Sequence, residues 1–214
     1  PDGPENLLSA LCVACQTEAA GLGVLVVMNC AIHSARYVQK TGLNQDHAFQ
    51  SSLVGLVGMH SNLTTHFFVR QLALCHTAHS AFTKAIQKGF FALSAENPLP
   101  EVSVLYVHAA MQEEMLRRWM TLPHQGVVVA GVGSGNISNL LEQLMADQAA
   151  QGTVVVRSSR LAFGHVAHNM EINDDEQGFL VAGNLNPAKA RILLQLALAL
   201  KTPHAQIQAL YNTH

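Results

Sequence analysis

A glycine-rich turn between an apolar strand and a helix limits the fold more than any other segment. Val127–Ala130 predicts a buried strand, and Gly131-Val-Gly-Ser-Gly-Asn136 follows it directly. Ile137–Ala150 predicts a helix that ends at Gly152, and Thr153–Arg157 predicts the next strand. A strand, a helix and a strand in this order form a βαβ unit, which implies parallel pairing and a right-handed crossover. This part of the chain is therefore expected to be an α/β domain.

Neighbouring segments extend this unit. Val102–Val107 predicts an earlier strand, and Gln112–Met120 predicts the helix that follows it. Further along, Phe179–Ala182 predicts a fourth short strand. Asn186-Pro187 is typical of a helix start, because asparagine caps free amides and proline fits the first helical position. We expect this helix to reach about Lys201 and to be buried, with a last helix after it.

The first third of the chain is less regular. Asp2 is placed to cap a helix that we expect to run to about Glu18. The valine-rich run Val24–Met28 favours a parallel strand that is covered on both faces. Residues 31–58 carry frequent Gly, Ser, Asn and Gln, so we interpret them as loops with short elements.

Prolines mark the predicted domain boundary. Glu96-Asn-Pro-Leu-Pro100 interrupts regular structure after a predicted helix at 81–92. We divide the chain into the incomplete tail of a first domain at 1–60, a linker region at 61–97 and a second domain at 98–214. The expected fold class is α/β: the remainder of an N-terminal parallel-sheet domain, followed by a smaller C-terminal α/β domain with a short parallel sheet.

Composition excludes several classes of protein. Of 214 residues, 49% are hydrophobic and 12% are charged, which is enough apolar material for a core and argues against disorder. The net charge of -2 and the lack of a basic block leave no electrostatic footprint for nucleic acid. The longest apolar runs are far shorter than the roughly 18–20 residues that a membrane span needs. We therefore expect neither nucleic-acid nor membrane partners.

Cysteine and histidine clusters form no complete metal site in the sequence. Cys12 and Cys15 make a single C-x-x-C within the predicted first helix, so we interpret them as two small core residues rather than a redox or zinc pair. Cys75, His76 and His79 are candidate metal ligands, but no fourth ligand follows at a suitable spacing. We expect no metal.

The glycine turn allows several functions. Backbone amides at the start of a helix attract anions, so such a turn suits a negatively charged ligand. A dinucleotide site would need G-x-G-x-x-G and an acidic residue about 20 positions later. Here the third glycine comes one position early, and the next strand ends in Arg157-Ser-Ser-Arg160 without an acid. A carboxylate or amide ligand and a purely structural corner both remain open.

Several motifs resemble the bacterial L-asparaginases of the periplasmic type II branch, within the asparaginase/glutaminase family. They agree in order and spacing over nearly the whole chain, least well at 53–97. The motifs are Asp2-Gly-Pro4, Gly23-Val-Leu-Val-Val-Met-Asn29, Lys40-Thr41, Ala130-Gly-Val-Gly-Ser-Gly-Asn136, Val155-Val-Arg-Ser-Ser-Arg160, Asp174-Asp175, Asn186-Pro187 and Gln206-Ile-Gln208.

This resemblance implies an amidohydrolase. The family hydrolyses L-asparagine, and often glutamine, to the acid and ammonia through a threonine nucleophile and a covalent acyl-enzyme. No metal or organic cofactor is used. The resemblance further implies a small-molecule substrate, a periplasmic location and a homotetramer built as a dimer of dimers, with active sites between subunits.

Three residues match functional positions of the family. Lys40 matches the lysine of a second catalytic triad, and a lysine acts as a base only if its pKa is lowered. Glu171 matches the glutamate that faces the ammonium group of the substrate. Asn136 matches the asparagine that supports this site from the glycine turn. Without the resemblance, we would interpret these residues as a solvated lysine, a surface carboxylate and a helix cap.

The sequence departs from the family at the nucleophile. Neither the family's Thr-Gly-Gly-Thr-Ile stretch nor the Thr-Asp pair that completes the triad occurs in these residues. Cys30 and Ser134 also replace the usual aspartate and asparagine. We expect the missing parts to precede Pro1 and the isolated chain to be inactive. The alternatives are a non-catalytic remnant, which binds a small amino acid or pairs with a full-length homologue, and a nucleotide-binding α/β module.

Overall fold

Two units make up the part of the chain that the computed structural model describes. The described residues are 2–43, 48–51, 53–69, 80, 82–84 and 98–214, and the units are Pro1–Lys84 with His214, and Ala85–Thr213. The cluster around His76 lies outside the described residues, as does most of the helix predicted at 81–92. The three-part domain division stays a prediction. No helix in the described ranges is long and apolar enough to cross a membrane.

Short antiparallel strands dominate the N-terminal unit. One sheet has the order β1-β2-β5-β6, and β3 pairs with β4 in a second, smaller sheet. Every one of these pairings is antiparallel. The elements are α1 (Gly3–Ala14), β1 (Leu25–Met28), β2 (Ala31–Ser34), β3 (Val38–Lys40), β4 (Phe49–Ser51), β5 (Gly58–Ser61) and β6 (Thr64–Phe67). The short elements expected within 31–58 are therefore confirmed. A small core joins α1 to the first sheet through Val13, Leu22, Ile32 and Val57.

The pairing of β1 differs from the expected parallel strand covered on both faces. β1 runs antiparallel to β2, with Leu25 opposite Ser34, and all four of its residues are only half-buried. The cause is the turn between them, because Asn29 and Cys30 both have positive φ, 48° and 63°. Two successive residues with positive φ are typical of the type I′ turn, which joins antiparallel strands.

The first helix is shorter and more exposed than expected. It ends at Ala14 rather than near Glu18, with Cys15 at its C-cap. Cys12 is half-buried and Cys15 is exposed, so the interpretation of both as core residues is wrong for Cys15.

The apolar face of α1 is largely uncovered within its own unit. Leu7, Leu8 and Leu11 are 64%, 52% and 58% exposed. At the start of the helix, the Asp2 carboxylate accepts a hydrogen bond from the Asn6 side chain at 2.9 Å and makes no side-chain cap to a backbone amide. Val13 therefore joins the small core of this unit, whereas these three leucines stay outside it.

A four-stranded parallel sheet forms the centre of the C-terminal unit. Its order is β10-β9-β8-β7, and each neighbouring pair is parallel. The strands are β7 (Val102–Tyr106), β8 (Gly126–Gly131), β9 (Val154–Ser159) and β10 (Phe179–Val181). These bounds confirm the four strands predicted from the sequence, and with them the α/β class and its short C-terminal parallel sheet.

Helices pack on both faces of this sheet. They are α2 (Glu113–Met120), α3 (Asn139–Ala150), α4 (Asp174–Gln177), α5 (Pro187–Ala199) and α6 (His204–Thr213). On one face, Leu116 and Leu141 join the core that contains Val127. Gly126 faces α5 on the opposite side, where an added Cβ would lie only 2.6 Å from Leu194 Cδ2. Because side chains alternate along a strand, β8 is buried on both faces.

The two last helices pack against each other, and α6 also contacts β10. Asn186 caps α5 as expected, and its side chain accepts from the Lys189 amide at 2.9 Å. The Tyr211 hydroxyl of α6 donates to the Ala190 carbonyl at 2.7 Å, and burial raises the pKa of Tyr211. Gln208 bonds both the N–H and the C=O of Val181, at 2.8 and 3.1 Å. A side chain thereby satisfies backbone groups at this edge of the sheet.

Candidate active site

Asn136 stands at the end of the glycine turn that follows β8. Val132 and Asn136 exchange two backbone hydrogen bonds of 2.9 and 2.8 Å, which close the turn into a tight loop. Gly131 is required at the base of this loop, since an added Cβ would lie 2.4 Å from the backbone carbon of Gly135. The Ser159 hydroxyl donates to the turn from β9, at 2.6 Å from the Gly133 carbonyl oxygen. The backbone before Asn136 is therefore held by several contacts.

Helix α3 does not begin at the turn. It was expected from Ile137 but starts at Asn139, and the Ser138 hydroxyl caps it by accepting from the Leu141 amide at 3.3 Å. Asn136 is therefore not a helix cap, and the turn does not itself present a helix N-terminus to an anion. This removes the geometry on which a dinucleotide site depends, because the pyrophosphate would lie at that helix end.

Glu171 lies on the segment between β9 and α4. Asn169 closes the base of this segment: its backbone N–H donates to Asp174 Oδ2 at 2.8 Å, and its side-chain amide donates to Asp175 Oδ2 at 2.6 Å. The Asp175 N–H donates back to Asn169 Oδ1 at 3.2 Å. Ile172 is buried, whereas Glu171 is exposed. The fold thus presents the Glu171 carboxylate to solvent on an anchored segment.

The structure brings Asn136 and Glu171 together. Asn136 Nδ2 donates a hydrogen bond to Glu171 Oε2. Asn136 Oδ1 is enclosed and makes no hydrogen bond within the described part of the chain. Asn136 follows β8 and Glu171 follows β9, so both lie beyond the carboxyl ends of neighbouring parallel strands. Ligands of open α/β sheets bind in this position. The pair offers the exposed carboxylate of Glu171 to a ligand.

A buried ion pair connects the two segments that carry these residues. The side chains of Arg157 on β9 and Asp174 on α4 are 1% and 0% exposed. Arg157 Nε donates to Asp174 Oδ1 at 2.5 Å, and Nη2 donates to Oδ2 at 2.8 Å. Arg157 Nη1 donates to the carbonyl oxygens of Ser134 and Gly135 at 3.3 and 3.2 Å. This is the bidentate geometry that suits a guanidinium and a carboxylate.

The sequence contains one signal that points to a buried charge at Arg157. Arg157 directly follows three valines of a strand that is buried on both faces. An arginine in such a strand persists only with a partner for its charge. The identity of that partner could not be predicted from the sequence pattern.

Lys40 ends β3 in the N-terminal unit. The pairing of β3 with β4 puts Lys40 opposite Phe49, and Lys40 Nζ lies 5.9 Å from the centre of the Phe49 ring. This distance is within the range of a cation–π contact. Lys40 is exposed in this unit. Its role as a base stays a prediction.

The other candidate metal-ligating and nucleophilic groups in the described ranges form no metal site. No three His, Cys, Asp or Glu side chains there are grouped closely enough to hold a metal ion. Cys12, Cys15 and Cys30 are free thiols. Next to the segment of Glu171, His168 Nε2 lies 3.3 Å from Asp175 Oδ1.

Comparison with family models matches both parts of the chain. Residues 1–72 match the model "Asparaginase, N-terminal", and residues 101–211 match the "Glutaminase/Asparaginase C-terminal domain". The second range contains both Asn136 and Glu171, and the first contains Lys40.

Several curated proteins are similar over nearly the whole chain. L-asparaginase 2 of Escherichia coli is 36% identical over all of this chain and 58% of its own length. The probable periplasmic L-asparaginase of Haemophilus influenzae is 36% identical over 92% of this chain and 54% of its own length. A glutaminase-asparaginase of Acinetobacter glutaminasificans is 35% identical over 98% of this chain and 61% of its own length.

The chain thus spans less than two thirds of each of these relatives. Within that span, the family models cover both units of the fold, and the parallel sheet and the Asn136–Glu171 pair lie in the longer match. Taken together, the matched ranges and the identities show that the chain belongs to the asparaginase/glutaminase family.

Proposed function

We propose that this chain supplies part of an active site that hydrolyses the side-chain amide of L-asparagine, with glutamine as a second substrate. The observation that carries the proposal is the hydrogen bond from Asn136 to the exposed Glu171 carboxylate, at the carboxyl edge of the parallel sheet. The products would be the side-chain acid and ammonia. Relatives named L-asparaginase and glutaminase-asparaginase support this reaction class.

Glu171 is suited to binding the ammonium group of an amino acid. Its carboxylate is exposed, and the Asn136 amide fixes one of its two oxygens, which leaves the other for an incoming cation. Asn136 Oδ1 is enclosed, so Asn136 acts through the hydrogen bond from its Nδ2 to the Glu171 carboxylate. A charge-assisted contact of this kind is about twice as strong as a neutral hydrogen bond. We therefore assign both residues to substrate binding.

Lys40 is the proposed base of the site. A covalent mechanism needs a nucleophile within hydrogen-bond reach of a base, and the family's threonine motif does not occur in these 214 residues. The nucleophile would therefore come from a part of the protein that these residues do not include.

The proposal includes an assembly and a location. An active site formed between subunits would require a homo-oligomer. The resemblance to the asparaginase/glutaminase family implies a tetramer made of two dimers. The relative in Haemophilus influenzae is named periplasmic, which supports a periplasmic location. The substrate is a small amino acid, and no cofactor takes part in the proposed chemistry.

A non-catalytic role is the second candidate. Its support is the exposed Glu171 carboxylate held by Asn136, a contact that can bind an ammonium group without any nucleophile nearby. In that case the same Glu171 carboxylate would bind an amino acid without turning it over, or the chain would pair with a full-length homologue.

Ammonia release from L-asparagine distinguishes these candidates. We expect none from the purified 214-residue chain when intact mass shows a single species. We expect turnover when the chain completes a site together with the missing part. There, Glu171→Gln should raise KM about tenfold, because a charged hydrogen-bond partner contributes about 1.5–3 kcal/mol. Lys40→Met should abolish turnover.

Two substitutions at other exposed residues serve as controls. Glu114→Gln and Lys84→Met remove the same charges at exposed positions and should leave both constants within about twofold, as typical surface changes do. An unchanged KM for Glu171→Gln would place that residue outside the substrate site. Activity from the single 214-residue species would show that the nucleophile is among these residues.

A further inference from the structure

Arg157 contacts both segments that form the Asn136–Glu171 pair. Through Nη1 it holds the carbonyl oxygen of Gly135 at 3.2 Å, one residue before Asn136. Through Nε and Nη2 it holds the carboxylate of Asp174, three residues after Glu171. One guanidinium therefore fixes the glycine turn and the Glu171 segment relative to each other.

Asp174 continues this connection towards Glu171. Its Oδ2 accepts both Arg157 Nη2 and the backbone N–H of Asn169, each at 2.8 Å. Asn169 precedes Glu171 by two residues, and Asp174 follows it by three, so the carboxylate closes the short loop that carries Glu171. Both charged side chains are almost fully buried, and water therefore does not compete for these contacts.

The contact between Asn136 and Glu171 could not fix its own geometry. It is exposed to solvent, where a single hydrogen bond competes with water and contributes little net free energy. A site holds its geometry when packed and bonded groups behind it lock the backbone. In the described structure, the Arg157–Asp174 pair is the buried group that reaches both backbones.

We propose that Arg157 and Asp174 are positioning residues, which hold Asn136 and Glu171 in contact without touching the substrate. The residues depend on each other because their charges are buried together. The value of this arrangement for turnover rests on the proposed amidohydrolase function, but the positioning itself is a property of the chain and can be measured without substrate.

Two sets of variants separate positioning from folding. Arg157→Lys keeps the positive charge but loses the planar guanidinium, whose N–H groups donate to a carboxylate and two carbonyls at once. The double variant Arg157→Met with Asp174→Leu removes both charges, so that no buried charge is left unpaired. Val128→Ala is the matched control, since it removes buried atoms from β8 and makes no change at the turn or at the Glu171 segment.

The readout is the side-chain amide signal of Asn136 in the 214-residue chain, measured by ¹H–¹⁵N NMR and assigned with Asn136→Asp. Glu171→Ala gives the position of this signal when its acceptor is absent. In both Arg157 variants we expect the signal to move towards that position. In Val128→Ala we expect it to stay at the wild-type position even when the melting temperature falls equally.

Two outcomes would overturn the positioning role. One is an Asn136 signal at the wild-type position in folded Arg157→Lys and in the folded double variant. The other is that neither variant folds, which would make the pair a requirement of folding rather than of the site.

Kinetics in the complete enzyme provide the second readout. There, Arg157→Lys should raise KM for L-asparagine at least fivefold and change kcat less than twofold, whereas Val128→Ala should change neither. If the NMR signal moves but Glu171→Gln leaves KM unchanged, the proposed function fails and the positioning inference stands. If Glu171→Gln raises KM but Arg157→Lys leaves the Asn136 signal and KM unchanged, the positioning inference fails alone.

Discussion

Gly131 shows how strongly one residue can constrain the site. It ends β8, and the backbone of Gly135 passes so close that no side chain fits between them. At Gly133, two residues later, an added Cβ would meet no atom within 4 Å, but the backbone has a φ of +53°. The two glycines therefore have different roles: the first permits a close approach and the second permits a backbone conformation.

Gly131→Ala should displace the turn and weaken the Asn136–Glu171 contact. We expect a loss of about 3 kcal/mol in the free energy of unfolding, because the clash is with backbone that cannot rotate away. The loss is measured by urea denaturation, and the Asn136 side-chain amide signal reports the contact.

Gly133→Ala is the control at the same turn. It should cost only about 1 kcal/mol, for the left-handed backbone, and should leave the Asn136 signal in place. Equal effects of the two substitutions on that signal would mean that close approach at Gly131 is not what fixes the turn.

Some residues of the site could be identified from the sequence, and others could not. Asn136 and Glu171 were found through their resemblance to a family, and the structure then brought them together. Arg157 and Asp174 lie in motifs that resemble the family, but those motifs alone assign them no role. The two residues are 17 positions apart, and which carboxylate meets the arginine depends on how the intervening segment folds.

The elements of the C-terminal unit were easier to predict than those of the N-terminal unit. In the C-terminal unit, the strands are predicted by continuous valine runs with glycine at the strand ends, and the start of α5 is predicted by Asn186-Pro187. Each of these signals depends only on residues within the element. The hairpins of the N-terminal unit turn on Asn29-Cys30 and Asn62-Leu63, all with positive φ. Neither pair contains the glycine that usually signals such a turn, so antiparallel pairing could not be predicted there.

His33 gives the N-terminal unit a dependence on pH. It lies on β2, is 2% exposed, and its Nδ1 is 2.9 Å from Ser51 Oγ on β4. Burial lowers the pKa of His33 below its ordinary value of 6.5, because desolvation disfavours the charged ring. As the pH falls, the unfolded chain therefore binds this proton before the folded chain does. The stabilisation is complete above pH 6.5 and is lost as the pH falls from there towards the folded pKa.

We expect this loss to be smaller in His33→Gln, which cannot titrate. Urea denaturation of both proteins, above pH 6.5 and well below it, measures the change in the free energy of unfolding with pH. The other histidines occur in both proteins, so the comparison isolates His33. If stability falls equally in both proteins over that range, protonation of His33 is not responsible.

The two units of the molecule differ in the size of the hydrophobic core that stabilises each of them. The C-terminal unit has a parallel sheet with helices on both faces and an extended core. In the described residues, the N-terminal unit has a core cluster of only four buried residues, an unpaired edge on β1 and three exposed leucines on α1. Because buried apolar area is the main source of folding free energy, the two units should differ in stability when separated.

A fragment comprising residues 98–214 should therefore fold alone. We expect a dispersed ¹H–¹⁵N NMR spectrum and one cooperative transition in urea. A fragment comprising residues 1–84 should bind the dye ANS and show no cooperative transition. Cooperative unfolding of the shorter fragment would show that its small core is sufficient. A disordered 98–214 fragment would mean that this unit depends on the first.

The buried Arg157–Asp174 pair also bears on how such a chain would evolve. Loss of either partner alone leaves a buried charge and costs about 3–5 kcal/mol, a large part of the 5–15 kcal/mol that keeps a typical domain folded. Replacing both at once costs far less, but that path requires two coincident changes. A lineage released from selection for turnover would therefore lose Lys40 or Glu171 by single steps long before it lost this pair. Its retention in a descendant would indicate that the domain still folds, and would not indicate that it still acts on a substrate.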